Sequence, residues 1–117
     1  MDHVTKTSQQ AATDAFTAIA HPARRQILDL LAGGEKSVLS IAKPFSVKPF
    51  KMSRPAVSQH LRILRDVGLV EVNRVGREQR YRLRSEPLET VYDWVAHYTK
   101  FWEEKLDNLG KYLEENE

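Results

Sequence analysis

No cysteine occurs among the 117 residues. That absence excludes disulfides, thiol nucleophiles, iron–sulfur clusters and every cysteine-ligated zinc. No run of 18 apolar residues exists either, so no membrane-spanning helix and no membrane partner are expected. Met1-Asp2-His3-Val4 shows no charged stretch leading into an apolar one. A secretory signal is therefore not expected, and the cytoplasm is the expected location. The five glycines never gather into a phosphate-cradling loop, and no histidine–carboxylate grouping has the spacing of a site. Neither an enzyme nor a cofactor is expected. What is present is a chain of 13.5 kDa with 41% hydrophobic residues. That is enough for a single domain over 1–117 with a modest core, and it argues against disorder.

The net charge of +2 conceals an uneven distribution. Residues 1–47 carry a net +1, residues 48–82 a net +6 and residues 83–117 a net −5. A basic middle with an acidic end points to a polyanionic partner for the middle alone.

Hydrophobic periodicity divides the chain. Ala12, Ala15, Phe16 and Ile19 recur at three and four, predicting a helix over 9–20. His21-Pro22 ends it, and Pro22 suits the first residue of a second helix, which Gly33-Gly34 stop. Val38 to Phe45 reads as a short third helix with Ser37 as its N-cap. Ser53 opens the clearest helix, 53–67, with Pro55 in its first turn and Gly68 beyond its end. Val57, Leu61 and Leu64 form its buried stripe, while Arg54, Ser58, Gln59, Arg62 and Arg65 fall largely away from it. The period then changes to two. Val70 and Val72, then Tyr81 and Leu83, alternate with polar residues around Gly76, predicting a β-hairpin over 69–84 with three arginines toward its tip.

Two features frame these elements. Lys43-Pro44-Phe45 recurs as Lys48-Pro49-Phe50, so residues 46–52 read as an inserted loop that bulges from the end of the third helix. Closure entropy grows slowly with length, so deleting Ser46 to Phe50 is expected to leave stability nearly unchanged. Lys48 and Lys51 would then lie near phosphates or simply in solvent. At the other end, Leu88, Val91, Val95, Tyr98, Trp102, Leu106 and Leu109 recur at near-heptad spacing over 86–115. A continuous helix of that length would run about 45 Å, longer than a compact chain of this size is wide. A second copy of the chain is the simplest partner for its stripe.

Helices, then a polar-faced helix, then a basic hairpin make a winged helix-turn-helix. A helix fits the major groove of B-DNA, where short polar side chains reach base edges, and wing arginines reach phosphates or the minor groove. The expected fold is mostly α with a small β-hairpin, in the order α-α-α-α-β-β-α, ending in a long dimerisation helix. The expected DNA-contacting residues are Ser53, Arg54, Ser58, Gln59, His60 and Arg62 on the helix, with Arg74, Arg77 and Arg80 on the wing. For His60 the competing reading is packing beside the stripe. The expected dimer contacts are Phe16, Leu88, Val91, Val95, Tyr98, Trp102, Leu106 and Leu109. Trp94, Tyr98, Phe101 and Trp102 read first as interface core and second as a pocket for a small-molecule effector of unknown identity. Arg24 and Arg25 read as phosphate contacts or surface charges, and His21 as a helix boundary.

The stretches Phe16 to Leu28, Ser53 to Leu64 and Gly68-Leu69-Val70-Glu71 closely resemble the ArsR/SmtB family of bacterial transcriptional repressors. The resemblance covers nearly the whole chain. It implies a homodimer bound to double-stranded DNA at a palindromic operator, with repression as the outcome. It would place recognition positions on Ser53, Arg54, Ser58 and Gln59. Family members that sense thiophilic metals carry a Cys-x-Cys-type motif on the third helix, where this chain reads Val38-Leu39-Ser40-Ile41-Ala42. The zinc-ligand positions of another type fall on Ser85, Pro87, Tyr98 and Phe101, which are poor zinc ligands. The resemblance is thus to metal-independent members, and no metal site is expected; Asp93 and His97 alone do not make one. The competing function is a winged-helix protein-interaction module without specific DNA binding, against which the basic middle argues.

Overall fold

The computed structural model describes residues 7–116; the polar start with His3 lies outside the described residues. Within them the chain forms α1 (Ser8–Ile19), α2 (Pro22–Ala32), β1 (Lys36–Ser37), α3 (Val38–Ala42) and a 3-10 turn (Lys43–Ser46). α4 (Arg54–Asp66), β2 (Val70–Val75), β3 (Glu78–Leu83), α5 (Leu88–Ala96) and α6 (Thr99–Glu115) follow.

Side chains set the helix starts. Thr7, Ser37 and Ser53 accept the amides of Gln10, Ser40 and Ala56 through their hydroxyl oxygens, each satisfying one orphan donor. At α2 an imidazole does this work: His21 Nδ1 accepts from the Ala23 amide at 3.1 Å. Arg24 and Arg25 then close the preceding helix. Arg24 donates through Nε to the Ala18 carbonyl and through Nη2 to that of Thr17, and Arg25 through Nη1 to that of Ile19. These are the last carbonyls of α1, which lack partners inside the helix and carry its partial negative charge. Both arginines therefore brace the α1–α2 corner, a role the sequence reading did not give them, and Arg25 remains the exposed surface charge it suggested.

The wing has three strands, in the order β1-β3-β2, all antiparallel. Val72 lies opposite Tyr81 and Val75 opposite Glu78. The two-residue turn that remains, Gly76-Arg77, has positive φ only at Gly76 (64°), the pattern of a type II′ hairpin turn. β1 adds Lys36 opposite Tyr81 and Ser37 opposite Arg80. Two residues are too short to show alternation, which is why this strand has no sequence signal.

Beneath these elements lies one core. Its fully buried large side chains include Ile27 of α2, Ile41 of α3, Val57, Leu61 and Leu64 of α4, Leu69, and Phe45 of the 3-10 turn. Phe45 corrects the reading of the inserted segment. The third helix ends at Ala42, the 3-10 turn drops Phe45 into the core, and Phe50 follows it with ring centroids 5.0 Å apart. Phe50 and Met52 both pack against the core, and the Met52 amide returns to the Phe45 carbonyl at 2.7 Å. Within 46–52, Phe50 and Met52 thus fold back onto the core, while Ser46, Val47, Lys48, Pro49 and Lys51 stay exposed as the expected loop.

The C-terminal stripe is also arranged differently from the continuous helix expected over 86–115. It breaks at His97-Tyr98, where the amides of both residues bond carbonyls three residues back, those of Trp94 and Val95. Tyr98 sits at φ −103°, ψ 0°, outside regular helix geometry. α5 lies against α1 through an edge-on contact between Trp94 and Phe16 at 5.6 Å. From Tyr92 to Asn116 every residue is exposed. The radius of gyration, 18.6 Å, reflects this arm, since a compact chain of this length has about 13 Å.

Candidate nucleic-acid interface

α4 turns one face inward and one outward. Val57, Leu61 and Leu64 are fully buried, whereas Ser58, Gln59, Arg62 and Arg65 are exposed. The spacing of the stripe therefore presents the polar face on a rigid support. Ser53 acts first as the cap of α4, its Oγ 3.3 Å from the Ala56 amide, with its hydroxyl proton still available outward.

Two clefts flank this face. One, of about 510 Å³, lies between the face and β3 and is lined by Ser58, Gln59, Arg62, Arg65 and Tyr81 among others. The other, of about 350 Å³, joins the start of α4 to the wing tip. Arg54, Arg74 and Arg77 meet there beside Ser37, Val38 and Leu39, with Gln79 and with Glu78, whose carboxylate pairs with Arg80. Leu39 was not anticipated. It is 58% exposed, and an exposed leucine on a short helix preceding the polar-faced one is the signal that marks it.

Ion pairing divides the arginines. Arg80 reaches Glu78 at 3.0 Å and Glu35 at 3.5 Å, Arg82 reaches Glu71 at 3.0 Å, and Arg84 lies between Glu71 and Glu86. Among the described residues Arg54, Arg62, Arg65, Arg74 and Arg77 have no carboxylate partner. The start of α4 and the wing tip thus keep their positive charge, while the wing base is neutralised. The structure brings Arg54, Arg74 and Arg77 together and sets Arg80 apart as a strut between β3 and the residue before β1.

His60, expected among the DNA contacts, is placed at the α1–α2 corner. Its ring lies 4.5 Å from that of His21, and its Nδ1 stands 3.4 Å from Arg24 Nη1. Burial first, then His21 and Arg24, hold its pKa below the ordinary histidine value. The ring faces the α1–α2 corner, which satisfies the packing reading and removes it from the outward face.

The residues expected at a dimer contact fall into two groups. Phe16, Leu88 and Val91 are half-buried within the protomer, and Leu88 packs on its core. Val95, Tyr98, Trp102, Leu106 and Leu109 are exposed along α5 and α6. At the break, Trp94, Val95, Tyr98, Phe101, Trp102 and Lys105 line an apolar groove of about 360 Å³. His97 Nδ1 bonds the Asp93 carbonyl at 2.8 Å, engaging the backbone of Asp93.

A capped helix with an outward polar face, set between a packed three-helix support and an arginine-tipped hairpin, defines a winged helix-turn-helix DNA-binding domain. Residues 21–72 match the family described as bacterial regulatory protein, arsR family. The transcriptional repressor SdpR of Bacillus subtilis is 34% identical over 85 residues, covering 73% of this chain and 89% of SdpR. The crystal structure of an ArsR family transcriptional regulator superposes with a TM-score of 0.68 at 29% identity, covering 85% of this chain and 97% of its own. The solution structure of a homodimeric winged helix-turn-helix DNA-binding domain from Mycobacterium bovis gives 0.58 at 31% identity, covering 84% and 91%. This chain belongs to the ArsR family: it is a DNA-binding transcriptional regulator and not an enzyme. No helix among the described residues is long and apolar enough to cross a membrane.

Proposed function

We propose that this chain is a homodimeric repressor of the cytoplasm that binds a palindromic operator. α4 enters the major groove, where Ser58 and Gln59 read base edges and Arg62 reaches the flank. Arg54, Arg74 and Arg77 bind the sugar–phosphate backbone beside it or the adjacent minor groove. The observation that carries this reading is the exposed polar face of α4 bordered by a cleft in which Arg54, Arg74 and Arg77 have no carboxylate partner, its one carboxylate, Glu78, being paired with Arg80. A polyanion is what such a cleft neutralises best, and this favours DNA over a protein-docking role.

The dimer follows from the arm. Val95, Tyr98, Trp102, Leu106 and Leu109 form an exposed apolar face along the arm, and apolar faces of this kind mark interaction sites. A second copy covers it symmetrically, with Phe16 and the half-buried part of α5 at the border. The homodimeric state of the Mycobacterium bovis domain and the repressor role of SdpR support this assignment. The aromatic groove then belongs to the interface core, and the reading requires no metal.

Selection of bound duplexes from a random pool tests the proposal. The expected product is a symmetric site whose half-site centres lie about 10 bp, or a multiple of that, apart. With about four phosphates neutralised per protomer, the log–log salt slope is expected near −7 for the dimer. A pool that yields no enriched sequence overturns operator binding.

A further inference from the structure

The α1–α2 corner holds a cluster that the DNA-facing surface does not use. The Arg24 guanidinium donates to the carbonyls of Ala18 and Thr17 on α1 and approaches His60 Nδ1 on α4 at 3.4 Å. The His60 ring lies against that of His21, which in turn caps α2. One guanidinium and two imidazoles therefore join three helices. Of these, α1 packs on the C-terminal arm through Phe16 and Trp94, and α4 carries the polar face.

We infer that Arg24 and His60 are positioning residues: the bridge they form sets the orientation of α4 relative to α1, and it holds only while His60 is neutral. This inference rests on the operator-binding reading above. In a dimer joined through the arm, that orientation decides how the two copies of α4 meet successive major grooves.

The chemistry of the bridge makes it sensitive to protons. Arginine only donates, so His60 Nδ1 must accept, which requires the neutral ring with its proton on Nε2. His21 Nδ1 accepts from the Ala23 amide and holds its ring beside that of His60. A proton added to the His60 ring lands on the nitrogen already engaged. Protonated His60 would then face the Arg24 guanidinium and the His21 ring at close range. The groups acting on His60 are His21, the cap of α2, and Arg24 within it; α1 contributes the neutral carbonyls of Thr17 and Ala18, and no carboxylate among the described residues offsets them.

The direction of the effect follows. Because the folded protein holds the His60 pKa below the ordinary value, the unfolded chain binds this proton more readily. The stability supplied by neutral His60 is present above about pH 6.5 and is lost as pH falls through the folded value. Operator affinity should fall over the same range, because a loosened α4 misaligns its base contacts. Affinity for random duplex should hold or rise, since added positive charge favours any polyanion.

The test measures affinity for a duplex selected at pH 7.5, and for a random duplex, at pH 7.5 and pH 5.0. In the unmodified protein, operator affinity is expected to fall about tenfold or more while random-duplex affinity does not fall. His60→Gln, whose amide oxygen accepts from Arg24 but does not titrate, is expected to hold operator affinity within about twofold over that range. A flat profile in the unmodified protein, or an equal fall in both proteins, overturns the bridge. NMR titration of the His60 ring in the unmodified protein provides a second measurement that does not depend on the variant folding. A midpoint below the ordinary value supports the bridge, and one at or above it overturns the bridge. Failure to enrich any duplex at pH 7.5 is a separate result, which removes the operator-binding reading and this inference with it.

Discussion

Residues 22–83 and residues 88–115 treat their apolar side chains in opposite ways. In the first region Ile27, Ile41, Phe45, Val57, Leu61, Leu64 and Leu69 are withdrawn from water completely. In the second, α5 and α6 contain no buried residue, although Trp94, Trp102, Leu106 and Leu109 are as apolar as any of those. Composition does not separate the two regions; closure does. The first folds around itself through helices and a sheet that converge from several directions. The second is a broken rod that meets its own chain only along α5, through Leu88 on the core and Trp94 against Phe16, and the proposed second copy would cover the rest of its stripe.

The sharpest way to break the contrast is to damage each side in turn. Phe45→Ala removes a fully buried ring from the 3-10 turn that leads into the inserted segment and is expected to cost about 3–5 kcal/mol in chemical denaturation. If it cost under about 1 kcal/mol, this turn would not belong to the core. Trp102→Glu should leave amide-exchange protection in α2, α4 and the sheet intact while moving the protein from dimer to monomer in sedimentation. The dimer constant is expected to weaken about 30-fold or more, as for an interface hot spot. Unfolding together with dissociation would mean that the first region depends on the second.

A smaller effect separates the two kinds of contact within the nucleic-acid interface. Gln59→Ala should reduce discrimination between operator and random duplex by about 1–3 kcal/mol, whereas Arg77→Ala should weaken both alike and flatten the salt slope by about one unit per protomer. Competition titrations at two salt concentrations read both effects; equal losses for Gln59→Ala would move base reading elsewhere on the surface. The smallest effect concerns the return of the inserted segment to α4. Lys51 has φ 46°, a conformation that costs residues with a Cβ about 1–2 kcal/mol. Lys51→Gly should therefore raise the thermal midpoint slightly, by about 0.5 kcal/mol equivalent after the added chain entropy of glycine.

Where local chemistry decides structure, the sequence was readable. Ser37 and Ser53 cap the helices assigned to them, Pro22 starts α2 behind His21, and Gly76 sits in the hairpin turn. The outward face of α4 was legible because its inward stripe was. What escaped depends on partners distant in sequence. β1 is only a ladder neighbour of β3, Arg24 finds its carbonyls six and seven residues back and His60 36 residues ahead, and Arg80 finds Glu35 across the sheet. Phe45 reads as the end of the third helix and Phe50 as part of a loop, and burial within or beyond a 3-10 turn leaves no periodic trace. The break at His97-Tyr98 interrupts a stripe whose spacing continues through it, so periodicity alone could not locate it. The separation of Arg80 from Arg77 had a readable clue in the hairpin register, since a carboxylate close on the same strand was available in Glu78.

The short strand β1 has a consequence for the kinetics of capture. Ser37 pairs with Arg80 of the wing and, through its hydroxyl, caps α3, so one residue belongs to both the sheet and the helical support. The Arg80–Glu35 contact clasps the same junction. A wing anchored only by its own hairpin would search many orientations and would have to be ordered on every encounter with a duplex. Tied at its base, the hairpin keeps Arg74 and Arg77 at a set distance from Arg54 before DNA arrives. Little loop-ordering entropy is then spent in forming the complex, and encounters limited by orientation succeed more often. Cutting this tie with Glu35→Ala would accordingly act first on the association rate and leave the dissociation rate nearly untouched.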